Sequence, residues 1–181
     1  MFICLVYKDF VKYAFICFML SGICDMLDGF IARKCKRTDE EKSFGVELDS
    51  LVDVFSFIAL PVIILISIGL NEWYNLAIFA LFAICGVARL GYFNIITADS
   101  SKPVKYYEGL PVTLTALVFP LAYLLKLVLD STTLNVVMTL ITFIVAMLFV
   151  TRIKIKKPGK ISYLIFGLIA GVVITLYCIY I

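Results

Sequence analysis

No histidine occurs anywhere in the 181 residues. That absence excludes a His-ligated metal and a histidine general base. Cysteine occurs six times, at Cys4, Cys17, Cys24, Cys35, Cys85 and Cys178, but never in a Cys-x-x-Cys spacing. Neither a zinc framework nor a disulfide framework is indicated. The chain has no long polar stretch, no internal repeat and no low-complexity tract, so residues 1–181 read as a single domain. Charge is scarce too: Asp, Glu, Lys and Arg make up 16% of the residues, with a net charge of +3. So small and unevenly placed an excess argues for membrane orientation and against nucleic-acid binding.

What remains is hydrophobic. Apolar residues make up 63% of the chain and its mean hydropathy is +1.07. Soluble domains are usually about 45–50% apolar. The expected fold class is therefore an all-α integral membrane protein. The apolar runs predict a bundle of about six transmembrane helices, roughly Phe10–Ile31, Glu47–Leu70, Trp73–Ile96, Leu110–Leu129, Thr133–Thr151 and Ile161–Ile181. Each approaches the ~20 residues that cross a hydrocarbon core.

The connections alternate in character. Asn71-Glu72 and Asp130-Ser131-Thr132 are short, whereas the other three links carry the bases. Lys34, Lys36, Arg37 and Lys42 follow the first helix, Lys102 and Lys105 the third, and Arg152, Lys154, Lys156, Lys157 and Lys160 the fifth. By the positive-inside rule those three links face the cytoplasm, outvoting Lys8 and Lys12 on the other side. An even number of spans then places both termini outside.

Against this background four aspartates stand out. Asp25 and Asp28 end the first helix, and Asp49 and Asp53 begin the second. Ionisable groups in a bilayer are expensive and need a partner or a task. The i, i+3 and i, i+4 spacings put each pair on one helix face. If the faces oppose, four carboxylates converge near the cytoplasmic side. Like charges cannot satisfy one another, and two divalent cations are the simplest neutraliser. Oxygen donors suit magnesium, manganese or calcium, not zinc or copper. Gly29 and Ala32 share the stripe of Asp25 and Asp28, and Gly45 opens the approach to the second helix. Small residues there admit a flat ligand; a helix-packing seam is the alternative.

The string Asp25-x-x-Asp28-Gly29-x-x-Ala32-Arg33, a spacer of 11 residues, then Gly45-x-x-x-Asp49-x-x-x-Asp53 resembles the signature of the CDP-alcohol phosphotransferase family. Phe44 to Asp53, Ala88-Arg89-Leu90-Gly91-Tyr92-Phe93-Asn94 and Gly109-Leu110-Pro111 resemble its phosphatidylserine synthase branch. The spacer is longer than the commonest form, and its extra length is charged. Members of the family usually carry another membrane helix before the first aspartates, where only Met1–Asp9 stands here.

The resemblance implies a reaction. An alcohol attacks the β-phosphorus of a CDP-lipid and CMP leaves; in this branch the alcohol is L-serine. It implies two divalent cations, Mg2+ or Mn2+, held by Asp25, Asp28, Asp49 and Asp53, with Asp53 also the candidate general base. It implies a CDP-lipid site at Asp25, Gly29, Ala32, Arg33, Gly45 and Asp49. Arg33 can pair with the pyrophosphate or anchor the helix at the cytoplasm. Arg89, inside the third helix, suits two-pronged capture of the serine carboxylate, with snorkelling as the alternative. Asn94 and Glu108 flank the same side, where Glu108 can meet the serine ammonium. Lys102 and Lys105 can meet phosphates or head groups, and the bases from Arg152 to Lys160 read first as an anchor. The implied partners are CDP-diacylglycerol or CDP-archaeol, L-serine, membrane lipids and a second copy of the chain. The implied place is the cell membrane, active site toward the cytoplasm.

Other acceptors, glycerol 3-phosphate or inositol phosphate, would want a denser basic pocket than Arg89 supplies. A cation channel or transporter would spread acids through several helices and depths. Here they cluster at one end of one hairpin.

Overall fold

The structure is a computed structural model that describes residues 11–32, 34–99, 106–151, 154–156 and 160–181, with side chains outside the description at 30, 97–99, 106–108, 154–156 and 160–164. Among the described residues, six helices form where six are expected. They are α1 Val11–Ala32, α2 Asp39–Ser67, α3 Trp73–Asp99, α4 Val112–Leu127, α5 Ser131–Val150 and α6 Lys160–Tyr180. By length and apolarity α2, Trp73–Ile96 of α3, and α5 can cross a membrane, while Val112–Leu127 and Ile165–Tyr180 are apolar but shorter. The 22 residues of α1 span about 33 Å at the helical rise.

Two features depart from the sequence expectation. Helix α2 begins at Asp39, not Glu47, because Thr38 starts a capping box. The Thr38 hydroxyl accepts from the Glu41 N–H at 3.2 Å, and the Glu41 carboxylate accepts from the Thr38 N–H at 2.7 Å. That box supplies the first turn of a polar helix that hydropathy cannot see. Second, the links flanking α4 and α5 are not plain loops. Strands β1 (Tyr106–Glu108) and β2 (Lys154–Lys156) pair antiparallel, Tyr106 opposite Lys156 and Glu108 opposite Lys154.

Helix α2 is not uniform. Its Asp39–Asp53 and Leu60–Ser67 parts are α-helical and flank a π-helical turn, Val54–Ala59. Pro61 follows and has no N–H to offer the Phe57 carbonyl four residues back. Thr115 of α4 fills that gap, its hydroxyl shared between the carbonyls of Phe57 at 3.1 Å and Val112 at 2.7 Å.

The core is aromatic. Phe15, Phe18, Phe57, Phe82, Phe119 and Tyr177 are fully buried. Phe15 lies 4.9 Å from the Tyr123 ring, and Phe82 meets Phe119 edge-on at 5.8 Å. Helix α3 packs most extensively on α5, and α1 lies against α4, α6 and the Leu60–Ser67 part of α2. Glycine allows two close approaches. A Cβ at Gly22 would sit 2.8 Å from the Ala116 side chain, and one at Gly86 would sit 2.7 Å from Ile58. Small residues at helix seams are how packing proceeds where lipid competes for apolar surface.

Candidate active site

Asp25 projects from α1, and Asp49 and Asp53 from successive turns of α2. One carboxylate oxygen from each lies within 4.8 Å of the other two. The i, i+4 spacing puts Asp49 and Asp53 on one face, and the packing of α1 on the Leu60–Ser67 segment brings Asp25 opposite it. Asp25 and Asp53 are half-buried and Asp49 is exposed. Asp28, three residues after Asp25, is exposed and lies outside that three-carboxylate group.

The ion pair between Lys42 and Asp39 involves none of these acids. Asp53 Oδ1 is buried and has no hydrogen-bond partner. An orphaned buried carboxylate oxygen costs more than an unpaired neutral group and calls for a ligand. Three hard oxygen donors around one small volume fit a hard divalent cation.

Thr113 supplies the one side-chain hydrogen bond described to the cluster from another helix. Its hydroxyl donates to Asp25 Oδ2 at 3.1 Å. Sequence reasoning missed it, because a threonine in an apolar run carries no charge and no motif position. The only signal was its place just after Gly109-Leu110-Pro111.

The residues expected at the CDP-lipid site fall in different settings. Gly29 is exposed, and a Cβ there would meet nothing within 4 Å. The surface beside the acids is therefore open, and the packing-seam alternative for Gly29 finds no neighbour among the described residues. Ala32 is half-buried at the end of α1. A Cβ at Gly45 would meet the Arg37 guanidinium at 3.4 Å, so the small residue sits beside a base from the preceding link. Arg33 lies outside the described residues.

The expected serine residues also separate. Arg89 is buried on α3; its Nε donates to the Leu110 carbonyl at 2.9 Å, and its guanidinium lies 5.1 Å above the Phe93 ring. Part of its fork thus holds the turn before α4. Asn94 donates to the Ser50 hydroxyl at 2.7 Å, reaching the turn of α2 between Asp49 and Asp53. Ser50 donates in turn to the Val46 carbonyl. Glu108 lies in β1, opposite Lys154, and its side chain falls outside the description.

Residues 1–150 match the family described as CDP-alcohol phosphatidyltransferase. Among curated proteins, the chain is 40% identical over 116 residues to a CDP-diacylglycerol--serine O-phosphatidyltransferase of Saccharomyces cerevisiae, covering 60% of this chain and 41% of that one. It is 37% identical over 112 residues to an archaetidylserine synthase of Methanothermobacter thermautotrophicus, covering 61% and 46%. It is 36% identical over 151 residues to a CDP-diacylglycerol--serine O-phosphatidyltransferase of Methanocaldococcus jannaschii, covering 82% and 66%. The chain thus spans about half the length of the curated relatives it matches. No solved structure matches it.

Proposed function

The chain belongs to the CDP-alcohol phosphatidyltransferase family, and from that premise we propose that it moves a phosphatidyl or archaetidyl group from a CDP-lipid to the hydroxyl of L-serine, releasing CMP. The observation that carries this reading is the convergence of Asp25, Asp49 and Asp53, three of the four acids of the family signature, from two helices onto one small volume. The relatives named as serine transferases support serine as the acceptor.

Asp25, Asp49 and Asp53, with Asp28 one turn away, would hold two divalent cations, Mg2+ or Mn2+. Such cations supply charge neutralisation for the pyrophosphate and the departing CMP. The chain's own residues do the rest. Gly29, with open space above it, and Ala32, Arg33 and Gly45 admit the nucleotide end of the lipid. Asp53 takes the proton of the serine hydroxyl as the serine oxygen bonds to the β-phosphorus and the bond from that phosphorus to the CMP oxygen breaks. Its unpartnered Oδ1 supports that assignment. Arg89 orients the serine carboxylate, and Asn94 and Glu108 are the other residues proposed for serine. The enzyme sits in the cell membrane with this end toward the cytoplasm, where the basic links lie, and works as a homodimer.

The test is CMP release by purified protein in lipid nanodiscs, with CDP-diacylglycerol and a panel of L-serine, ethanolamine, glycerol 3-phosphate and inositol phosphate. L-serine should be consumed in proportion to CMP. Faster reaction with glycerol 3-phosphate or ethanolamine would overturn the serine assignment and keep the phosphotransferase. Silence with every acceptor would overturn both.

A further inference from the structure

Three hydrogen bonds tie the start of α4 to the acid-bearing helices and to α3. Thr113 donates to Asp25 on α1. Thr115 donates to the Phe57 carbonyl in the π-helical turn that follows Asp53 on α2. Arg89 on α3 donates to the Leu110 carbonyl. The corner before α4 is also fixed by backbone. Gly109 has φ +82°, and a Cβ there would lie 2.9 Å from the Phe149 carbonyl oxygen. Leu110 N–H donates to the Leu148 carbonyl at 3.3 Å, and Leu114 N–H to the Pro111 carbonyl at 3.2 Å. Only glycine accepts that φ and that approach without strain.

A corner held this firmly presents Thr113 in one place. Its hydroxyl occupies one oxygen of Asp25, Oδ2, and a carboxylate oxygen of Asp25 lies within 4.8 Å of oxygens of Asp49 and Asp53. Partners of this kind fix the orientation of a ligating carboxylate, and their loss typically weakens metal affinity or activity by roughly 10- to 100-fold.

We infer that Thr113 is a positioning residue for the metal centre: its hydroxyl fixes the Asp25 carboxylate in the orientation that receives a divalent cation together with Asp49 and Asp53. The inference rests on the metal role proposed above. It extends the site to α4, a helix that contributes no acid to the cluster. Thr113 and Thr115 divide the work. Thr115 is fully buried and bonds only to carbonyl groups, so it braces the helices. Thr113 is half-buried and bonds to a carboxylate, so it acts on the ligand.

The experiment measures Mn2+ binding to purified protein by loss of the free-ion electron paramagnetic resonance signal, without substrate. The variants are Thr113→Val, Thr113→Ser and Asp25→Asn, with unfolding in detergent followed in parallel. Valine keeps the shape and removes the donor; serine restores the donor. Thr113→Val should weaken Mn2+ binding roughly 10- to 100-fold at an unchanged unfolding midpoint. Thr113→Ser should bind within about threefold of the natural chain, well short of that roughly 10- to 100-fold loss. Mn2+ binding by Thr113→Val equal to that of the natural chain, while Asp25→Asn fails, would overturn the inference alone. So would a Thr113→Ser variant as weak as the valine one. Unchanged binding by Asp25→Asn would overturn the metal reading on which it rests.

Discussion

The two ends of the helical bundle treat their polar groups in opposite ways. At the end away from the acids, Asp130, Asn75 and Tyr177 each meet a complementary group. Asp130 caps α5, accepting from the Thr133 hydroxyl at 2.7 Å and from the N–H groups of Thr132 and Thr133 at 3.1 Å. Those bonds, the Thr133 hydroxyl first, hold its carboxyl below the ordinary carboxylate range. Asn75 of α3 accepts from Thr139 of α5 at 2.7 Å, and the buried Tyr177 hydroxyl donates to the Pro120 carbonyl at 2.8 Å. At the acid end, carboxylates face carboxylates, and Asp53 Oδ1 is buried with no partner. Folding alone favours the first arrangement, because unmet buried polar groups cost free energy. The second arrangement is the one that the proposed cation and charged substrate would complete.

That contrast can be broken from either end. The largest effect should come from Asp53→Asn, which keeps the shape but cannot take the serine proton. Turnover at saturating serine should fall roughly 100- to 10,000-fold, with the unfolding midpoint in detergent unchanged or raised. A loss below about tenfold would move the base elsewhere, since general-base help is rarely so small.

Next in size is Arg89→Lys. Lysine keeps the charge and loses the two-pronged geometry. Loss of a charge-assisted hydrogen bond of about 1.5–3 kcal/mol corresponds to a rise of roughly 10- to 150-fold in the apparent KM for serine. The KM for CDP-lipid should move less. Equal rises in both would assign Arg89 to holding the Leu110 turn instead.

Two glycines sharpen the comparison further. Alanine at Gly86 must displace Ile58, an overpacking that typically costs about 1–3 kcal/mol. It should lower the unfolding midpoint and leave turnover per folded molecule intact. Alanine at Gly29 meets no described neighbour, so it should leave stability intact and raise the KM for CDP-lipid. The reverse pattern would mean that Gly29 serves packing. Smallest is Tyr177→Phe at the satisfied end. Intramembrane hydrogen bonds are worth about 0.6 kcal/mol on average, so a shift of that order in unfolding free energy, with unaltered kinetics, is expected.

The sequence made the spans and the acids legible for physical reasons. Twenty-residue apolar runs have few alternatives in a bilayer, and aspartates inside them are too costly to be incidental. It hid what depends on partners far along the chain. The polar start of α2 carries a visible Thr38-x-x-Glu41 box, but its hydropathy resembles a link. The β1–β2 ribbon pairs two separate basic links, and nothing within either three-residue strand announces the other. The π-helical turn after Asp53 packs against α3 and α4, contacts that the residues Val54–Ala59 do not announce. Thr113 is the clearest case. Its importance lies in a hydrogen bond to a residue on another helix, and a local pattern cannot contain that. Asn94 was placed near the site by motif, but its bond to Ser50 appears only in three dimensions.

The central claim is that the clustered carboxylates of Asp25, Asp49 and Asp53 exist to hold divalent cations during transfer from a CDP-lipid. The most direct measurement is CMP release from CDP-diacylglycerol and L-serine by nanodisc-embedded protein, first in excess chelator and then as free Mn2+ or Mg2+ is restored. Release should be absent in chelator and return with the metal in the natural chain, but not in Asp25→Asn or Asp49→Asn. Full release in chelator, or undiminished release by both variants, would contradict the account.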